Sequence, residues 1–106
     1  MKKTILTLAA IVGTMAAATV VNAAPVSQSA AQKTALEAAG LKAEQVVFKP
    51  IETDYDDGRE IFEVDFFIPG QKKYEFDIDV NTGEIVDQDV DYWEADDYIE
   101  YGYLLK

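Results

Sequence analysis

The sequence predicts an α+β fold, one N-terminal helix laid on one face of a small antiparallel sheet of about four strands. Three observations predict it. Phe62, Val64, Phe66 and Ile68 alternate with Glu63 and Asp65, and Tyr74, Phe76, Ile78 and Val80 alternate with Glu75, Asp77 and Asp79. A period of two sends one set into a core and the other toward water. Turn sequences separate these runs: Pro69-Gly70-Gln71 between them, and Val80-Asn81-Thr82-Gly83-Glu84 after them. Upstream, Ala31, Ala35, Ala38 and Ala39 with Leu36 share one face at helical spacing, and small side chains let a helix lie close on a sheet.

The chain opens on a different kind of segment. Met1-Lys2-Lys3 is basic, Ile5 to Val21 is rich in Ala, Val and Leu, and Val21-Asn22-Ala23 places small residues before a cut. This is the layout of a secretory signal peptide, with cleavage expected between Ala23 and Ala24. A membrane anchor is the competing reading, but the run is short for a bilayer and interrupted by Thr7, Gly13, Thr14 and Thr19. The expected organisation is a cleaved leader over 1–23, a domain over 24–91, and an acidic, aromatic C-terminal extension over 92–106. The expected location is the periplasm or the extracellular space.

Ser27 or Ser29 can cap the helix, which runs to about Ala39, with Val26 as a hydrophobic staple toward Ala31. Gly40 ends it in left-handed geometry and Leu41 folds back as the apolar contact of the cap. Val46 to Thr53 reads as the first strand. Pro50 within it has no amide to give to a ladder, so this strand belongs at the sheet edge or is kinked near residue 50. Asp56-Asp57-Gly58-Arg59 is a hairpin turn. The last strand runs from Ile85 to about Asp91. In the extension, Tyr92, Trp93, Tyr98, Tyr101 and Tyr103 are interleaved with acids, a composition unlike a disordered tail. Packing on the sheet is expected, with docking on a partner as the alternative. Phe67, which breaks the alternation of the meander on the water face of its strand, is expected beneath those aromatics.

Charge and composition exclude several functions. The net charge is −11, and loss of the leader, which carries Lys2 and Lys3, takes it to −13. Such a surface repels nucleic acid and anionic lipid, both of which demand Lys and Arg. The chain has no Cys and no His, which removes disulfides, zinc-thiolate sites and imidazole proton transfer. Asp77, Asp79 and Asn81 suggest a calcium loop, but its sixth position is Thr82 and its twelfth Gln88, where an EF-hand needs Gly and Glu. A turn explains Asp79, Asn81 and Gly83 without a metal. Asp54, Asp56, Asp57 and Glu60 crowd the other hairpin, as solvated acids usually do. No residue is assigned a catalytic, cofactor-binding or metal-binding role.

Taken in order, several of these pieces resemble the PepSY domain. They are Ala31, Ala35 and Ala39-Gly40-Leu41; Asp57-Gly58-Arg59; Phe62-Glu63-Val64; and Ile78-Asp79-Val80-Asn81-Thr82-Gly83-Glu84-Ile85. The likeness spans about residues 26 to 91. Phe62 stands where the family usually has tyrosine, and the aromatic extension lies outside the pattern. PepSY modules occur in propeptides of thermolysin-like metallopeptidases and in YpeB-type germination proteins, where they are thought to restrain peptidases. The resemblance implies a non-catalytic module with structural roles for Gly40, Gly58, Gly83 and Asp79, the last tying up the amides of Asn81 and Thr82.

The expectation is therefore a secreted, non-catalytic protein-binding module that needs no cofactor. Its concrete partner is a secreted peptidase, met through the acidic face or by strand addition at Val46–Thr53 or Ile85–Asp91. Nucleic acid is not expected as a partner, nor a membrane once the leader is removed. Two alternatives stand beside this: an acidic calcium-binding envelope protein, and an accessory domain whose tail docks on a larger assembly.

Overall fold

The computed structural model describes residues 25–105; the leader expected over 1–23 lies outside the described residues. Helix α1 spans Gln28–Ala39. Ser27 caps it from an extended backbone, its Oγ accepting the Ala30 amide at 3.0 Å. At the other end Gly40 has φ 74°, and the Leu41 amide reaches back to the Leu36 carbonyl at 3.0 Å. That bond takes up a carbonyl the ended helix leaves free, in the manner of a Schellman cap. Just before the helix, the Val26 amide donates to the Val80 carbonyl at 2.8 Å, which ties the incoming chain to the far end of the sheet.

The strand expected over Val46–Thr53 is two strands, so the sheet has five rather than four. After a 3-10 turn at Ala43–Gln45 come β1, Val47–Phe48, and β2, Glu52–Asp56, both antiparallel to β3, Arg59–Ile68. Phe48 lies opposite Phe66 and Glu52 opposite Glu63: four steps along this edge match three along β3. The extra residue falls around Pro50, whose missing amide makes it fit a break in the ladder. The edge position and the kink, posed above as alternatives, thus occur together. Asp57 (φ 52°) and Gly58 (φ 79°) then form the two-residue β2–β3 turn, and two positive φ values in succession are what a tight twisted hairpin requires.

β3 pairs with β4, Lys72–Asp79, and β4 with the edge strand β5, Ile85–Tyr92. Ile78 faces Ile85 while Asp77 faces Asp87, so Val86 is an extra residue in β5. The core lies between α1 and the near face. Ala31, Ala35, Val64 and Ile78 are 1 % exposed or less, and Phe62, Phe66, Phe76 and Val80 complete the cluster. Phe66 is its hub, with ring centroids of Phe48 at 5.3 Å, Tyr74 at 5.3 Å and Phe76 at 5.8 Å. Each such side chain contributes about 1.5–3 kcal/mol on burial, which a chain without disulfides depends on.

The C-terminal segment packs on the opposite face of the sheet. Helix α2, Ala95–Glu100, and a 3-10 turn, Gly102–Leu104, place Trp93 and Tyr101 over Phe67 at centroid distances of 5.0 and 5.1 Å. Phe67 is 2 % exposed. Its break in the alternation of β3 is thereby explained, since at this end of the sheet both faces are covered.

In the β4–β5 loop, Gly83 has φ 80° and the position a Cβ would take lies 3.2 Å from Val26 Cγ1. Gly83→Val meets a backbone conformation that β-branched residues resist and a crowded neighbour. It is expected to cost about 2 kcal/mol, read as a lowered urea midpoint with the far-ultraviolet spectrum retained.

Candidate functional site

Two-residue periodicity carries the acids of β2 to β5, Glu60 excepted, onto one face, and the register sets several of them against one another. Glu52, Glu63, Asp77 and Asp87 form one row across four strands; Asp65, Glu75 and Asp89 form the next. Like charges directly opposite on a sheet repel. The cations of this face stand at its margins. Lys49 Nζ lies 3.6 Å from Asp65 and over the Tyr101 ring, and Arg59 Nη1 lies 3.6 Å from both Asp79 and Glu84. Lys73 is turned toward the C-terminal segment. The first row contains no cation at all.

The electrostatics follow from this placement. Glu63 is raised above the usual glutamate range by burial and by Asp54, Asp77 and Glu52. Asp77 is raised by burial and by Asp87 and Asp65. Glu75 is raised by burial and then by Asp65 and Asp89, and Asp65 by burial, partly offset by Lys49. One carboxylate behaves in the opposite way. Asp97 is 4 % exposed and accepts the Glu94 amide at 2.7 Å while Lys73 Nζ donates to it at 3.1 Å. The amide bond first, and Lys73 second, hold it below the ordinary aspartate value. It pins α2 to the sheet.

The calcium loop considered from the sequence is a hydrogen-bonded turn. Asp79 Oδ1 accepts the amides of Asn81 (2.7 Å) and Thr82 (3.0 Å), and Oδ2 faces Arg59. Asp77, on the same face, is two residues away and belongs to the carboxylate row. Asp54, Asp56 and Asp57 stay on or beside the β2 edge, and Glu60 lies in β3 opposite Tyr55. Among the described residues no group of three acids is placed to hold a metal ion.

The concavities are open ones. A groove of about 850 Å3 runs between the start of α1 and the Phe48–Ile51 kink, with Leu104 at its rim. Another, of about 580 Å3, lies beside Asp56, Arg59, Glu84 and Asp87.

Sequence reasoning located the acidic face but missed its internal opposition, which exists only once the strands are in register. It also missed the Lys73–Asp97 pair, joined across 24 positions. A further feature lies along β5: the amides of Gln88 and Tyr92 donate to the side chains of Asp87 (3.0 Å) and Asp91 (2.8 Å). The spacing of Asp87, Asp89 and Asp91 was the visible signal for it.

Comparison with known proteins gives one match. The family model PepSY, described as peptidase propeptide and YPEB domain, covers residues 25–89. No curated protein and no solved structure matches the chain.

The carboxylate rows fix the sign of the pH response. A carboxyl raised in the folded state binds protons more tightly there than in the unfolded chain. Its favourable contribution is therefore full at low pH and is lost as pH rises through the folded value. Asp97, being lowered, contributes above the unfolded value and loses that contribution as pH falls through the folded one. Stability is expected to be greater at about pH 5 than at about pH 7.5 and to decline again in stronger acid. Asp77→Asn removes one repulsive member and should stabilise by about 0.5 kcal/mol at the higher pH. Urea midpoints across pH check both.

Proposed function

The chain belongs to the PepSY family, and from that membership we propose that it is a secreted, non-catalytic module that binds and restrains a peptidase. PepSY domains are propeptide and regulatory modules, generally without catalysis of their own and often extracytoplasmic. Among the described residues no helix is long and apolar enough to cross a membrane. The leader reading of residues 1–23 adds export and cleavage after Ala23 to the proposal.

The observation that supports the contact surface is the row Glu52–Glu63–Asp77–Asp87. Opposed carboxylates lower the stability of the isolated fold, and sites that break local stability rules are where function is commonly found. A basic partner surface relieves the repulsion, so binding gains from the removal of a cost already present in the free protein. Complementary potentials also speed encounter and make it dependent on salt. Restraint follows if the module sits across the peptidase's substrate approach; it needs no chemistry from this chain.

A second reading rests on α2. Tyr98, Ile99 and Tyr103 are 53 %, 85 % and 64 % exposed on the segment that covers Phe67. These side chains suit an accessory domain whose outer tail surface docks on a larger assembly.

Affinity capture with the chain from Ala24 onward, from secreted and envelope fractions of the host, separates the readings. The expected result is a peptidase whose activity falls as the chain is added, with inhibition weakening as salt rises and in Asp77→Asn/Asp87→Asn. Recovery only of a non-proteolytic assembly, lost on Ile99→Ser, would replace peptidase restraint with tail docking.

A further inference from the structure

The open edge of the sheet adds a second kind of surface. We propose that β5 receives an extended segment of a partner in which Lys or Arg alternates with apolar residues. This rests on the reading of the chain as a binder of a basic partner and names the form that partner presents.

The two edges of the sheet are unequal. On the β1–β2 side the ladder is broken by an extra residue at Pro50, which has no amide, so a docking strand would lose continuity there. β5 is regular from Asp87 to Tyr92, paired in constant register with Asp77 to Lys72. Its two sides differ in chemistry. Asp87, Asp89 and Asp91 line the acidic face, while Gln88, Val90 and Tyr92 line the other, with Val90 51 % and Tyr92 70 % exposed. An incoming strand pairs residue against residue, with side chains directly opposite about 5 Å apart. Lys or Arg then meets the aspartates, and apolar side chains meet Val90 and Tyr92.

The backbone is prepared for this exchange. The Gln88 and Tyr92 amides are held by the carboxylates of the residues before them. These are local contacts in place of a neighbouring strand. When a strand arrives, its carbonyls take those amides and its cations take the released carboxylates, so each broken hydrogen bond has a successor. The aspartates also select against a second copy of β5, which would set acid against acid. One set of charges thus admits a basic strand and rejects self-pairing.

The test uses the full chain and three labelled peptides: one alternating lysine and valine, one N-methylated on its lysines, and one N-methylated on its valines. Methylation removes the amides on one side of an extended strand and leaves those on the other, with charge and composition otherwise kept. Fluorescence anisotropy should show the parent and one methylated peptide binding alike, and the other weakened about tenfold or more. Asp87→Asn/Asp89→Asn/Asp91→Asn, with an unchanged circular dichroism spectrum, should weaken the parent peptide to a similar degree. Equal binding by the two methylated peptides overturns strand addition while leaving attraction to the acidic face. Binding by none of the three contradicts both the edge and the basic-partner reading beneath it.

Discussion

The packing of α1 on the near face of β3 and β4 is the interaction on which the rest of this structure depends. Ala31 and Ala35 are small enough to bring the helix backbone close to Phe62, Val64, Phe66, Phe76 and Ile78. Without Cys in the chain, this contact has no covalent support. It must offset chain entropy and the repulsion among carboxylates on the other face. The caps and turns serve it. Ser27 and Gly40 set the length of the helix, and Asp79 closes the loop that carries Val80 into the core. The Val26–Val80 hydrogen bond fixes where the chain enters.

Because one face supplies the core, the other is free to depart from what stability alone would favour. It does so in a graded way. At the Phe67 end the face is covered by Trp93, Tyr101 and the pair of half-buried Lys73 with buried Asp97. Toward the middle it opens into opposed carboxylates with cations only at the margins. The C-terminal segment thus defines how much of the acidic surface remains accessible. Covered end and open centre are two parts of one arrangement, one held by packing and one left with its carboxylates opposed.

Much of this fold was legible because local chemistry and long-range packing agree. The Ser27 cap, the alanine spacing, Gly40, the Asp57-Gly58 turn and the Asp79 loop each have a local physical cause that survives in the folded chain. Phe67 was legible as an exception, an apolar residue where alternation asks for a polar one, and the exception pointed to a covering element. The division of the first strand was harder. Pro50 announced a disturbance, but the extra residue emerges only when Phe48 and Glu52 are matched to Phe66 and Glu63. The carboxylate rows were hidden for the same reason: Val86 shifts the β5 register, and a single shift decides which acids meet. The Lys73–Asp97 contact joins distant segments through burial, for which neither residue carries a local signal.

The open face holds its carboxylates against partial burial first and mutual repulsion second, while the C-terminal clasp holds Asp97 below its ordinary value. Residue-resolved NMR titration of the side-chain carboxyls measures this directly. Glu63, Asp65, Glu75 and Asp77 are expected to titrate above the ordinary range for their types, and Asp97 below it. Titration of those four at or below ordinary values would mean that the face is relaxed, and would remove the electrostatic basis for assigning it to a basic partner.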